Sequence, residues 1–208
     1  MYPVKAIGVF AAILVIAVTQ RGRHPFARFG PANQITTIRA LLVSIVAGLI
    51  GEPPLPIVVI GASTIATVLD GVDGWLARRT QMASAFGARF DMEVDALLIQ
   101  VLAILVWLYG KAGPWVIASG LLRYAFVAAG AVWPWMGHPL APRLRGRVMC
   151  IVQIVGLLLA LLPPVVPPVS TAIAAASLTA LSYSFVVDTL WLWQGRRGQG
   201  SRTRSVAE

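Results

Sequence analysis

The chain has 208 residues, 58% of them hydrophobic and only 12% charged, with a mean hydropathy of +0.79. A soluble domain carries about a quarter charged residues, so this composition excludes one and points to an integral membrane protein built as a single bundle. The net charge of +9 does not point to nucleic acid, because the arginines gather at the ends of apolar segments without interleaved aromatics.

Seven apolar segments follow in order. They are continuous rather than alternating, which argues against a membrane β-barrel. The expected fold is all-α: a polytopic membrane helical bundle of six core transmembrane helices plus an N-terminal hydrophobic helix. The first segment, 6–19, falls short of the ~20 residues a span needs. Lys5 precedes it and no small-residue cleavage site follows, so it reads as an extra span or a surface-lying helix, not a signal peptide. With the basic stretch after it, it forms an N-terminal unit, 1–29. The remaining segments, 35–50, 55–77, 86–109, 113–136, 148–165 and 169–193, form the core domain, 30–193. Turn-forming residues separate them: GEPPLP at 51–56, YGKAG at 109–113, WPWMGHPLAP at 133–142 and PPVVPP at 163–168. The polar end, 194–208, reads as a basic disordered cytoplasmic tail. The single cysteine, Cys150, excludes an intrachain disulfide or a cysteine zinc site and reads as a small core residue.

Arginine placement sets the orientation. With residue 33 near the cytoplasm, the inner segments hold Arg21, Arg23, Arg28, Arg78, Arg79, Arg143, Arg145, Arg147, Arg196, Arg197, Arg202 and Arg204, and the outer turns hold only Lys111. This asymmetry predicts a multi-pass protein of the cytoplasmic (inner) membrane. Trp133, Trp135, Trp191 and Trp193 lie near segment ends, as interfacial aromatics do.

Five of the eight acidic residues fall between 70 and 95, in DGVDGWLARRTQMASAFGARFDMEVD. Carboxylates at membrane depth are costly and mark functional sites. Asp70, Asp73, Gly74 and Ala77 share one helical face, as do Gly87, Asp91 and Asp95 on the next segment. The short connection predicts that these two helices face one another. Four carboxylates in one place repel unless cations neutralise them, and all-carboxylate ligation selects hard cations such as Mg²⁺, Mn²⁺ or Ca²⁺. Gly74, Ala77 and Gly87 leave room for a ligand, and Arg78 can contact its phosphate. The competing reading, helix caps and interfacial charges, fits any one aspartate but not four at matched spacing. Glu93 points away from the four and reads as a surface or supporting group.

The stretch resembles the signature of the CDP-alcohol phosphatidyltransferase family, D-x2-D-G-x2-A-R-x8-G-x3-D-x3-D, with every fixed position present: Asp70, Asp73, Gly74, Ala77, Arg78, Gly87, Asp91 and Asp95. The resemblance covers about 30–193. It implies a six-helix membrane enzyme, usually a homodimer, with a cytoplasm-facing cavity. Such enzymes transfer a substituted phosphate from a CDP-linked donor, usually CDP-diacylglycerol, to an alcohol, releasing CMP. By position it implies Asp70, Asp73, Asp91 and Asp95 as ligands of Mg²⁺ or Mn²⁺, two ions in all. It implies Asp95 as general base, and Gly74, Ala77, Arg78 and Gly87 beside the cytidine diphosphate. Upstream, PANQITTIR resembles the family's Pro-Asn-x-x-Thr segment, although Ala32 separates Pro31 from Asn33. Asn33, Thr36 and Arg39 map onto it, and Asn33 and Thr36 equally fit ordinary helix-start capping.

Two metals neutralise a diphosphate and stabilise leaving CMP, and a carboxylate within reach takes the acceptor's proton. For the acceptor, Arg123 lies mid-segment and needs an anionic partner, either the carboxylates or an acceptor phosphate. Arg143, Arg145 and Arg147 lie at the mouth of the next helix, with positive-inside anchoring as the plainer reading for the first two. Arg123 and Arg147 favour a phosphorylated acceptor, such as glycerol 3-phosphate or inositol phosphate. Glycerol-phosphate members often show D-P-x-x-D-K and inositol-type members D-S-x-x-D-R, whereas this chain has Asp91-Met92-Glu93-Val94-Asp95-Ala96. His24 and His138 have no partner that suggests a role. Two rival classes are a cation- or proton-coupled transporter and a non-catalytic scaffold. Against the first, the aspartates sit at one membrane end and no inverted repeat is visible. Against the second, a scaffold has no physical reason to keep so costly a cluster.

Overall fold

Proline and glycine set most of the helix boundaries. The structure, a computed structural model, describes residues 2–19, 30–80, 84–133, 135 and 144–205. Among them are seven α-helices and no strand: α1 (Tyr2–Thr19), α2 (Pro31–Gly48), α3 (Pro56–Arg79), α4 (Ala85–Leu108), α5 (Ala118–Val132), α6 (Leu144–Leu161) and α7 (Val169–Ser205). Pro31 opens α2, where its fixed φ suits the first turn and its missing N–H costs nothing. Pro114 likewise opens a single 3₁₀ turn, Pro114–Ile117, that leads into α5. Gly51 (φ 79°) and Gly110 (φ 68°) follow α2 and α4 in the left-handed conformation that lets the chain reverse. Ser84 caps α4, its Oγ accepting from the Gly87 N–H at 3.0 Å.

Among the described residues, three helices are long and apolar enough to cross a membrane: Pro56–Ala77, Pro114–Val132 and Val169–Gln194. Their outer faces carry exposed Ile57, Ile65, Val68, Leu121, Val127 and Val186, as a lipid-facing surface requires. Inside, α4 is the central helix, packing on α2, α5 and α6. Phe86, Phe90, Val94, Leu98 and Leu102 recur every four residues along it and are all buried. Small residues mark the closest crossings: a Cβ at Gly48 of α2 would meet the Tyr2 ring of α1 at 2.9 Å, and one at Gly156 of α6 would meet Ser177 Cβ of α7 at 2.5 Å.

Two expectations change. The helices α3 and α4, though consecutive, do not pack along their lengths, because α2 lies against both. Lys111, which the sequence reading used to mark topology, also joins two turns. Its Nζ donates to Leu162 O (3.1 Å) and Val165 O (2.6 Å), and its own carbonyl accepts from Ser170 Oγ at 2.6 Å. It thereby ties the α4–α5 turn to the α6–α7 turn. On the same side, Lys5 of α1 donates to Glu52 Oε1 and to Ile50 O, both at 3.0 Å.

Candidate active site

Arg39 of α2 is the centre of the site. It is 1% exposed, and its guanidinium meets all four aspartates. Nη1 lies 3.2 Å from Asp70 Oδ1 and 2.9 Å from Asp73 Oδ2, and it also contacts Asp91 Oδ1, while Nη2 contacts Asp95 Oδ1. The third nitrogen, Nε, donates to Ala66 O of α3 at 3.0 Å. A buried guanidinium persists only when its donors are matched, and here α3 and α4 supply the matches from either side. The helix between them carries the counter-charge, which is why these two helices share a site without packing together.

The remaining contacts assign positions to the other residues. Thr36 Oγ1 lies 3.0 Å from Asp73 Oδ2 and 3.1 Å from Ala32 O, so its hydroxyl faces the site. The N-cap of α2 is Gly30, with no side-chain cap bond; Asn33 and Thr36 lie inside the helix, and the capping alternative falls away. Asn33 is buried, and a Cβ at Gly87 would come within 2.8 Å of its Oδ1. Gly87 therefore permits the start of α4 to approach α2. Gly74 and Ala77 lie on α3 one turn beyond Asp70 and Asp73. The Arg78 side chain, Arg143, His24 and His138 lie outside what the structure describes.

Oxygens of Asp70, Asp91 and Asp95 lie within 4.8 Å of one another, a spacing suited to a shared cation. Three hard carboxylate donors fit Mg²⁺ or Mn²⁺. Asp73 is not one of that trio and is engaged by Thr36 and Arg39. The trio borders a cavity of about 640 Å³ walled by α3, α4, α5, α6 and α7, within the usual size for a small-molecule site. Arg123 and Arg147 line it, and Ile99, Ile154 and Leu181 form its apolar depth.

The basic residues are already paired. Arg147 Nη2 lies 3.2 Å from Asp70 Oδ2, and Arg145 contacts Asp188 Oδ1. Arg123 does not reach the aspartates; its Nη2 meets Glu93 Oε1 at 2.5 Å. Glu93 thus has a partner that the sequence did not suggest, and Asp188, also lining the cavity, was overlooked. The available signal was that Asp188 is the sole acidic residue in its apolar segment. Cys150 packs against the hydrophobic core, as a small apolar residue should, and it also lines the cavity with Sγ 3.9 Å from Asp95 Oδ2, because it follows Arg147 by three positions and shares its face of α6.

Neither the curated proteins nor the solved structures yielded a match to this chain. The family model described as CDP-alcohol phosphatidyltransferase matches residues 29–187, a span that includes Arg39, all four aspartates, Arg123 and Arg147 and leaves out α1 and the end of α7. With the carboxylates of its signature gathered on one buried arginine at the edge of a cavity, the chain belongs to the CDP-alcohol phosphatidyltransferase family, metal-dependent membrane transferases of substituted phosphate groups.

Proposed function

We propose that this protein moves the phosphatidyl group from CDP-diacylglycerol, or a similar CDP-linked donor, to an alcohol that itself carries a phosphate, such as glycerol 3-phosphate or inositol phosphate. The observation that carries the reading is the convergence of Asp70, Asp91 and Asp95 at a cavity that also holds Arg123 and Arg147. The four aspartates would hold two Mg²⁺ or Mn²⁺ ions. When bound, the ions would neutralise the diphosphate and the leaving CMP. Asn33, Thr36, Gly74, Ala77, Arg78 and Gly87 border the cytidine diphosphate. Asp95 accepts the hydroxyl proton as the acceptor oxygen bonds to the phosphatidyl phosphorus and the bond to CMP breaks. Arg123 and Arg147 bind the acceptor's phosphate with charge-assisted hydrogen bonds.

The six core helices span the cytoplasmic membrane with the cavity open to the cytoplasm, where CMP and a phosphorylated alcohol are soluble, while the donor's tails stay in the bilayer. The protein works as a homodimer. The test is CMP release from CDP-diacylglycerol by the purified protein in lipid with Mn²⁺, against glycerol 3-phosphate, inositol phosphate, inositol, serine and choline. Release with a phosphorylated acceptor, lost on chelation, is expected. A transporter releases no CMP, and turnover with neutral alcohols alone overturns the acceptor assignment.

A further inference from the structure

Met92 of α4 lines the cavity, and Arg123 brings a cation to it from α5 on another wall. Its guanidinium is held on one side only: Nη2 donates to Glu93 Oε1 at 2.5 Å, Nη1 lies 3.8 Å from Met92 Sδ, and the buried Nε has no partner. A guanidinium presents five N–H donors in one plane. One is committed to a strong acceptor here and one to a weak sulfur acceptor, which leaves donors for an anion in the cavity. A free arginine loses rotamer freedom when it binds; Glu93 holds the head in place beforehand.

We propose that Met92, Glu93 and Arg123 form the acceptor-selecting element of this enzyme. Arg123 receives the acceptor's phosphate monoester, and Glu93 is the positioning residue that fixes its guanidinium. The proposal rests on the phosphorylated-acceptor reading above and adds a role for the glutamate. Simple charge balance gives the opposite sign, since removing a carboxylate beside an anion site strengthens anion binding.

The test measures CMP release against acceptor concentration for wild type, Glu93→Gln and Glu93→Asp in lipid with Mn²⁺, with CDP binding by each variant as the check on folding. Glu93→Gln is expected to raise the KM for glycerol 3-phosphate or inositol phosphate about tenfold, the loss of one charge-assisted hydrogen bond. The donor KM and kcat should stay near wild type, and Glu93→Asp should recover most of the affinity. An unchanged or lowered acceptor KM in Glu93→Gln overturns this proposal alone. Wild-type turnover confined to neutral alcohols overturns it together with the acceptor assignment. If no acceptor is turned over, calorimetry of glycerol 3-phosphate on the CDP-loaded proteins decides: weaker binding by Glu93→Gln supports the proposal, and equal or tighter binding, or none by wild type, overturns it.

Discussion

Replacing Arg39 by alanine tests the architecture of the site most directly. The guanidinium is 1% exposed and touches four carboxylates and one carbonyl. Without it, Asp73, itself 4% exposed, keeps only Thr36, while Asp91 and Asp95 lose their cation and Asp70 keeps Arg147. Removing one member of a buried ion pair costs about 3–5 kcal/mol, because it strands the partner's charge. Arg39→Ala in chelator should therefore unfold well below wild type. Divalent metal should then narrow the gap. An ion present at 100 times its Kd adds about 2.7 kcal/mol to the state it binds, and in the variant it no longer competes with a guanidinium for the same oxygens. Thermal unfolding followed by circular dichroism, with chelator and with Mn²⁺, gives both numbers. Equal stability of the two proteins in chelator, or an equal gain from Mn²⁺, refutes the argument that arginine and metal share these carboxylates.

Other expectations follow from single contacts. Asp95→Asn should abolish CMP release while CDP binding persists; substantial turnover by that variant removes Asp95 as the base. Gly156→Ala places a Cβ 2.5 Å from Ser177 Cβ and should cost about 1–3 kcal/mol by forcing α6 from α7. Gly61→Ala, where nothing lies within 4 Å, should be neutral or slightly stabilising in the same melt. In the α2–α3 turn, the Lys5 ammonium holds the Glu52 carboxyl below its ordinary value of 4.5. A depressed folded-state value stabilises above that ordinary value and is lost as pH falls through the folded one. Hydrogen exchange in α1 should accordingly quicken on acidification below the ordinary carboxylate range, and Glu52→Gln should remove that dependence.

Much of the site was legible because the aspartates obey helical spacing, and spacing is a property of sequence. Asp70, Asp73, Asp91 and Asp95 needed only the 3.6-residue repeat to be grouped. Arg39 was harder. It followed a loosely matching Asn33–Thr36 segment, and nothing in the order of the helices says that α2 lies against both α3 and α4. Glu93 and Arg123 are 30 residues apart, and their pairing depends on how α5 leans on α4. Cys150 packs on the core as its apolar neighbours suggested, but that its face of α6 also walls the cavity was not legible. The apolar runs located the helices, but α4 carries Arg89, Asp91, Glu93 and Asp95, so hydropathy alone does not mark it as a span.

The placement of Arg39 on α2 has a consequence for biogenesis. The chain is synthesised from its N-terminus, so Arg39 leaves the ribosome 34 residues ahead of Asp73 and 56 ahead of Asp95. A carboxylate carried into a membrane without a partner is costly. Here the cation that meets all four, on α2, is made before either acidic helix. A fragment beginning at α3 would deliver the same four carboxylates with no resident cation to meet them.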